Sequence, residues 1–114
     1  MSKGPEADLQ EKVLALARIY GWHRHHQRAG YQPGTGRWVT GISGEAGFPD
    51  LVLVRGDRLI FAELKSQRGR VSATQEIWLG LLRTVPGVEV YVWKPEDMRA
   101  GTIQSILERD RSTV

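Results

Sequence analysis

Asp50, Glu63 and Lys65 are the residues whose types and spacing invite chemistry, and all three lie within the stretch FPDLVLVRGDRLIFAELK from Phe48 to Lys65. Its centre, Gly56-Asp57, separates two runs rich in Val, Leu, Ile and Phe, the signal of a hairpin with glycine at the first central position. A two-residue loop there fixes the register. Arg55 then faces Arg58, Val54 faces Leu59, Val52 faces Phe61 and Asp50 faces Glu63, and directly opposite residues share a face. Because side chains alternate along a strand, Lys65 joins that face while Leu64 turns away. Two carboxylates and an ammonium thus converge at one end of a hairpin. Neighbouring carboxylates repel and raise one another's pKa unless a cation lies between them. A hard divalent ion such as Mg²⁺ would remove that repulsion, since it prefers oxygen ligands and commonly takes one or two carboxylates with waters and substrate phosphate. The same residues also read as polar strand ends emerging into solvent, with Asp50 a turn residue after Pro49.

The elements that must position these groups follow in chain order. Residues 5 to 20 form a first helix, with Pro5 in the first turn, Gly21 as its stop, and Leu9, Val13, Leu16 and Tyr20 as its apolar stripe. At about 100° per residue, Glu6 lies within about 50° of the stripe's centre, whereas Glu11 points almost to the opposite side. Glu6 is therefore the acidic residue able to look toward the sheet, although a first-turn glutamate also stabilises the helix dipole. Trp22 to Arg28 reads as an edge strand. His23 and His25 share one of its faces and His26 takes the other, so the three cannot all meet one ion. Residues 29 to 47 hold six glycines and a proline, a loop with a short hairpin around Trp38 to Thr40.

Beyond the hairpin, Ser66 to Arg70 is a polar loop whose Arg68 and Arg70 suit phosphate contact, because the guanidinium fork matches phosphate oxygens. They read equally as a solvated loop. A second helix over 72 to 84 opens on Ser72 and Gln75, a capping box that by itself explains both residues, and carries Ile77, Trp78, Leu81 and Leu82 as its stripe. Val88, Val90 and Val92 alternate in a third core strand that Lys94-Pro95 stops. A last helix over 96 to 109, with Met98, Ile103, Ile106 and Leu107, precedes a charged tail. The expected fold is α/β of the mixed α+β kind, in the order α-β-β-β-α-β-α: a central mixed β-sheet flanked by helices. Both faces of its hairpin are apolar, so both should be buried.

At 114 residues the chain is expected to be one domain, 1–114, with a core that needs no staples. With no cysteine, disulfides and thiolate metal sites are excluded. The chain has no apolar run of membrane-spanning length and no signal-peptide pattern, which predicts a soluble cytoplasmic protein. Sixteen Lys and Arg against thirteen Asp and Glu give only +3, and the isoelectric point of about 9.6 fits a polyanionic partner or simply a mildly basic domain.

Glu6 on a first helix, Pro49-Asp50, Glu63-Leu64-Lys65, Ser72-x-x-Gln75 and the valine-rich strand together resemble the PD-(D/E)xK nuclease superfamily with its restriction-endonuclease-like core. Within it they are most similar to the VRR-NUC family, in particular its small stand-alone viral or prophage members, over residues 6 to about 94. The resemblance implies that Asp50 and Glu63 hold Mg²⁺ or Mn²⁺, that Lys65 assists the attacking water or offsets charge, that Glu6 completes the site with Glu11 as its fallback, and that Gln75 is an auxiliary polar group. It further implies a Holliday junction resolvase acting as a homodimer on branched, four-way DNA in a bacterial or phage-infected cell, with no organic cofactor and no membrane partner. The alternatives are a flap, nick or general duplex nuclease, and a non-catalytic DNA-binding module that keeps the nuclease fold. Apolar residues of the last helix, Ile103, Ile106 and Leu107, or the Trp-bearing segments are the expected dimer surface, unless they cap the core.

Overall fold

The computed structural model describes residues 4–26, 30–32, 37–39 and 44–110. Helix α1 (Pro5–Ile19) has proline in its first turn, Glu6 and Asp8 beside its positive end, and a stop at Gly21, whose φ of +81° favours glycine. It buries Leu9, Val13 and Ala17, with Leu14, Leu16 and Tyr20 half-covered at the margins. Strand β1 (His23–His26) follows; β2 (Gly30–Gln32) and β3 (Arg37–Val39) pair with each other in a separate two-stranded sheet, so the expected short hairpin around Trp38 exists, while Thr40 lies outside the described residues. The main hairpin is β4 (Leu51–Arg55) and β5 (Arg58–Leu64), continued by α2 (Ala73–Arg83), β6 (Val88–Trp93), α3 (Pro95–Arg99) and α4 (Thr102–Glu108).

The four-stranded sheet has the order β1-β4-β5-β6, antiparallel except for β5 and β6, which run parallel because α2 carries the chain across. The hairpin register is the expected one, with Arg55 opposite Arg58, Val54 opposite Leu59 and Val52 opposite Phe61. Gly56 alone takes a positive φ, +59°, in the turn. One sheet face is fully covered: Leu51, Leu53, Ile60, Ala62 and Leu64 pack with Leu9, Val13, Trp22, Trp93, Ile103 and Leu107. The other face is not buried throughout as expected. Val52, Leu59 and Phe61 are half-buried and Val54 is 40% exposed, because among the described residues the cover there is α2, packed chiefly beside β6, with Phe48 over Phe61.

Helix α2 is also turned from its expected stripe. Leu79 is buried and Trp78 and Leu82 half-buried, whereas Ile77 and Leu81 are 60% and 53% exposed. Phe48 sets that rotation, its ring meeting Trp78 edge-on at 5.1 Å and Phe61 at 5.7 Å. The last helix is two helices, since Gly101 with φ +80° breaks it before Thr102. Ile103, Ile106 and Leu107 lie in the core, so the surface role considered for them is replaced by a packing role.

At the turn end of the sheet, Arg58 and Arg55 each lie 4.8 Å over the Trp22 ring. Arg58, almost fully buried, grips Glu89 with two bonds of 2.7 and 2.8 Å and donates to Ile106 O. Arg55 donates to Tyr20 O and Leu107 O, so the last turn of α4 has its open carbonyls satisfied by both arginines. Burial pulls the Glu89 carboxyl up, but its bonds from Arg58 and Tyr91 hold it below the ordinary range. These contacts clamp the turn end and leave the opposite end of the sheet open.

Candidate active site

That open end is where β5 and β6 present their carboxyl ends, the usual location of ligands in sheets with parallel strands. Pro49 is buried and delivers Asp50 just ahead of β4, where regular pairing has stopped at Leu51 opposite Ala62. Side chains continue the bonding. Leu64 N–H donates to Asp50 Oδ2 at 2.9 Å, and Asp50 N–H donates to Glu63 Oε1 at 3.2 Å. The two carboxylates are therefore adjacent, as the hairpin register requires. Lys65 N–H donates to Trp93 O at 3.0 Å, which holds Lys65 at the rim half-exposed.

Glu63 is 1% exposed, and its Oε2 has no hydrogen-bond partner among the described residues. Burial, then the hydrogen bond to Asp50 and its charge, push the Glu63 carboxyl up to about 8, with Lys65 pulling weakly the other way. A buried carboxylate with one unfulfilled oxygen beside a second carboxylate is a donor set that fits a hard cation. Solvated strand ends would show neither the burial nor the unfulfilled oxygen.

The remaining candidates are placed less centrally. Glu6 shares the phase of the buried face but lies in the first turn of α1, ahead of the covered part, and is exposed; Glu11 is exposed too. Among the described residues no group of three or more His, Asp or Glu side chains is gathered to hold one metal ion, so Glu6 does not complete a cluster with Asp50 and Glu63. It does lie at their end of the sheet. Four residues along the same face of α1, Gln10 Nε2 is 3.0 Å from His26 Nδ1, and His26 pairs with Leu51, next to Asp50. Gln75 forms the capping box: its Oε1 accepts from Ser72 N–H at 2.9 Å, and its own N–H donates to Ser72 Oγ at 3.3 Å. Arg68 and Arg70 are exposed on the loop after Lys65. His23 and His25, opposite Val54 and Val52, share a face that His26 does not. Gln10 carried no weight in the sequence reading. Its signal was its spacing from Glu6, but its partner depends on a β1–β4 register that local pattern does not fix.

A four-stranded mixed sheet, flanked by helices, with an Asp–Glu pair and a lysine at the rim of its central hairpin, defines a nuclease-fold protein consistent with the PD-(D/E)xK superfamily. The VRR-NUC domain model matches residues 38–96, more than half of the chain, and the chain belongs to that family. Among solved structures, one described as a VRR_NUC domain protein superposes with a TM-score of 0.59, covering 92% of this chain and 89% of its own at 19% identity, a likeness of fold. No curated protein matches.

Proposed function

We propose that the protein is a divalent-metal-dependent, structure-selective DNA endonuclease, a Holliday junction resolvase acting as a homodimer in the cytoplasm, and that residues 1–114 form its single nuclease domain. The observation that carries this reading is Glu63, buried against Asp50 with its pKa pushed up to about 8 and Oε2 unfulfilled. Family membership supports the nuclease class. Asp50 and Glu63 would hold Mg²⁺ or Mn²⁺, and Glu6, in the first turn of α1, would be the further acidic residue of the site. When bound, such an ion lowers the pKa of a coordinated water and polarises a phosphoryl oxygen. Lys65 orients the attacking water and offsets the charge that builds on the phosphate. Arg68 and Arg70 contact flanking phosphates. Gln75 fixes the start of α2 through its cap and so steadies the Gly47-to-Asp50 approach as an auxiliary polar group.

Supporting a dimer, Ile77 and Leu81 on α2 and Val85 just beyond it form an exposed apolar stripe at i, i+4 and i+8. A two-fold dimer suits a junction in which two strands are cut symmetrically. Incubation with labelled four-way junctions, flaps, nicked and linear duplex in Mg²⁺ tests the reading. Paired symmetric incisions in the junction, faster than cutting of the other substrates, are expected. A preference for flaps, nicks or plain duplex would replace the resolvase assignment, and metal-independent binding without turnover would leave a DNA-binding module.

A further inference from the structure

We infer that His26 is a substrate-contacting residue whose Nε2–H, set by Gln10, donates to a DNA phosphate oxygen beside the scissile one. This rests on the nuclease reading above. His26 is the last residue of β1 and pairs with Leu51, so it stands one strand across and one residue along from Asp50, roughly 6 Å between Cα atoms from sheet spacings. It shares its face with Leu51 under α1, whereas Glu63 projects on the other side, so the two bracket the rim at Asp50. The ring is half-buried, unlike the exposed His23 and His25.

Its tautomer is set by a neighbour. The Gln10 amide nitrogen, which can only donate, faces His26 Nδ1 at 3.0 Å. With the amide nitrogen donating there, Nδ1 accepts and the ring N–H is the one on Nε2. That N–H has no partner among the described residues. A half-buried imidazole so held leaves a donor at the edge of the rim that, on the reading above, binds a phosphodiester. Phosphates recur about every 3.4 Å of rise along a strand, so a neighbour of the scissile phosphate falls within side-chain reach. Gln10 is then a positioning residue and His26 the contact.

The experiment compares wild type, His26→Ala, His26→Gln and Gln10→Ala. Steady-state cleavage, melting temperature and anisotropy of a labelled duplex titrated at several salt concentrations are measured for each. His26→Ala is expected to raise KM and the duplex Kd about tenfold, leaving kcat within about twofold and Tm within about 2 °C. His26→Gln, whose amide nitrogen can take the place of Nε2, recovers most of that affinity, and Gln10→Ala weakens binding in the same direction. Because the inferred contact is a hydrogen bond and not an ion pair, the slope of log Kd against log salt stays unchanged, whereas loss of a cationic contact lowers it by about one. Unchanged KM and Kd in His26→Ala, a salt slope reduced by about one, or a loss that Gln does not relieve and that tracks a falling Tm would each overturn the inference. Anisotropy reads the contact without turnover, so a wild type that binds but does not cleave counts against the proposed reaction and not against His26.

Discussion

Replacing Glu63 by glutamine keeps its shape and the acceptor for Asp50 N–H while removing the buried carboxyl. In the unfolded chain that carboxyl titrates near 4.5; in the fold it is pushed to about 8. Between those values the folded protein keeps a proton that the unfolded chain has released, so stability falls as pH rises through the window. The contribution is fully present below 4.5 and fully lost above about 8. A rise of about 3.5 pH units at about 1.4 kcal/mol each sets a ceiling of roughly 5 kcal/mol. Local relaxation and water entry reduce it, and about 2–3 kcal/mol is expected. Urea unfolding of wild type and Glu63→Gln in EDTA, at pH 5 and pH 9, measures the effect. The difference between the two proteins should move in favour of the variant by about 2 kcal/mol or more from pH 5 to pH 9, and the variant should not cleave DNA. A stability difference that is the same at both pH values refutes the reasoning, whatever its size, because a fixed offset reports packing and not ionisation.

Lys65→Ala should lower kcat/KM for DNA by about a hundredfold or more while leaving Tm within a few degrees, since the side chain is half-exposed; kinetics beside a thermal melt check both. Gly47 has φ +100°, and a Cβ there would lie 2.6 Å from the Thr74 backbone. Gly47→Ala should therefore destabilise the fold by about 2 kcal/mol in urea unfolding and weaken cleavage by shifting the approach to Asp50. Leu81→Glu places a charge in the exposed stripe and should convert a dimer at micromolar concentration to monomer in sedimentation, with the far-ultraviolet circular dichroism spectrum unchanged.

The hairpin and its Asp50–Glu63 pairing were legible in sequence because a two-residue loop dictates register outward from Gly56-Asp57, and the structure follows that count residue by residue. The Ser72–Gln75 cap was legible for the same local reason. What escaped depends on contacts remote in sequence. Helix α2 has apolar residues nearly all round its inner half, so its rotation was decided by Phe48 against Trp78 and not by period. The break at Gly101 was passed over because the apolar pattern on either side of it runs on. Arg55 opposite Arg58 reads as a like-charge clash in a hairpin; Trp22, Glu89 and the carbonyls at the end of α4 turn it into a clamp. Helix phase puts Glu6 in line with the covered face, but phase says nothing about how far along the axis the cover extends, and Glu6 lies ahead of it, exposed.

The most direct test of the metal-dependent nuclease is cleavage of a labelled four-way junction by wild type and Asp50→Ala, each with Mg²⁺ and with EDTA. The Asp50 carboxylate accepts from the Leu64 amide, so its loss removes one carboxylate of the pair, while the Asp50 backbone N–H that holds Glu63 remains. The expected result is symmetric incision by wild type in Mg²⁺ alone and a loss of at least about a thousandfold in the variant, with junction binding retained. Cleavage that survives EDTA, or that Asp50→Ala leaves undiminished, would contradict it.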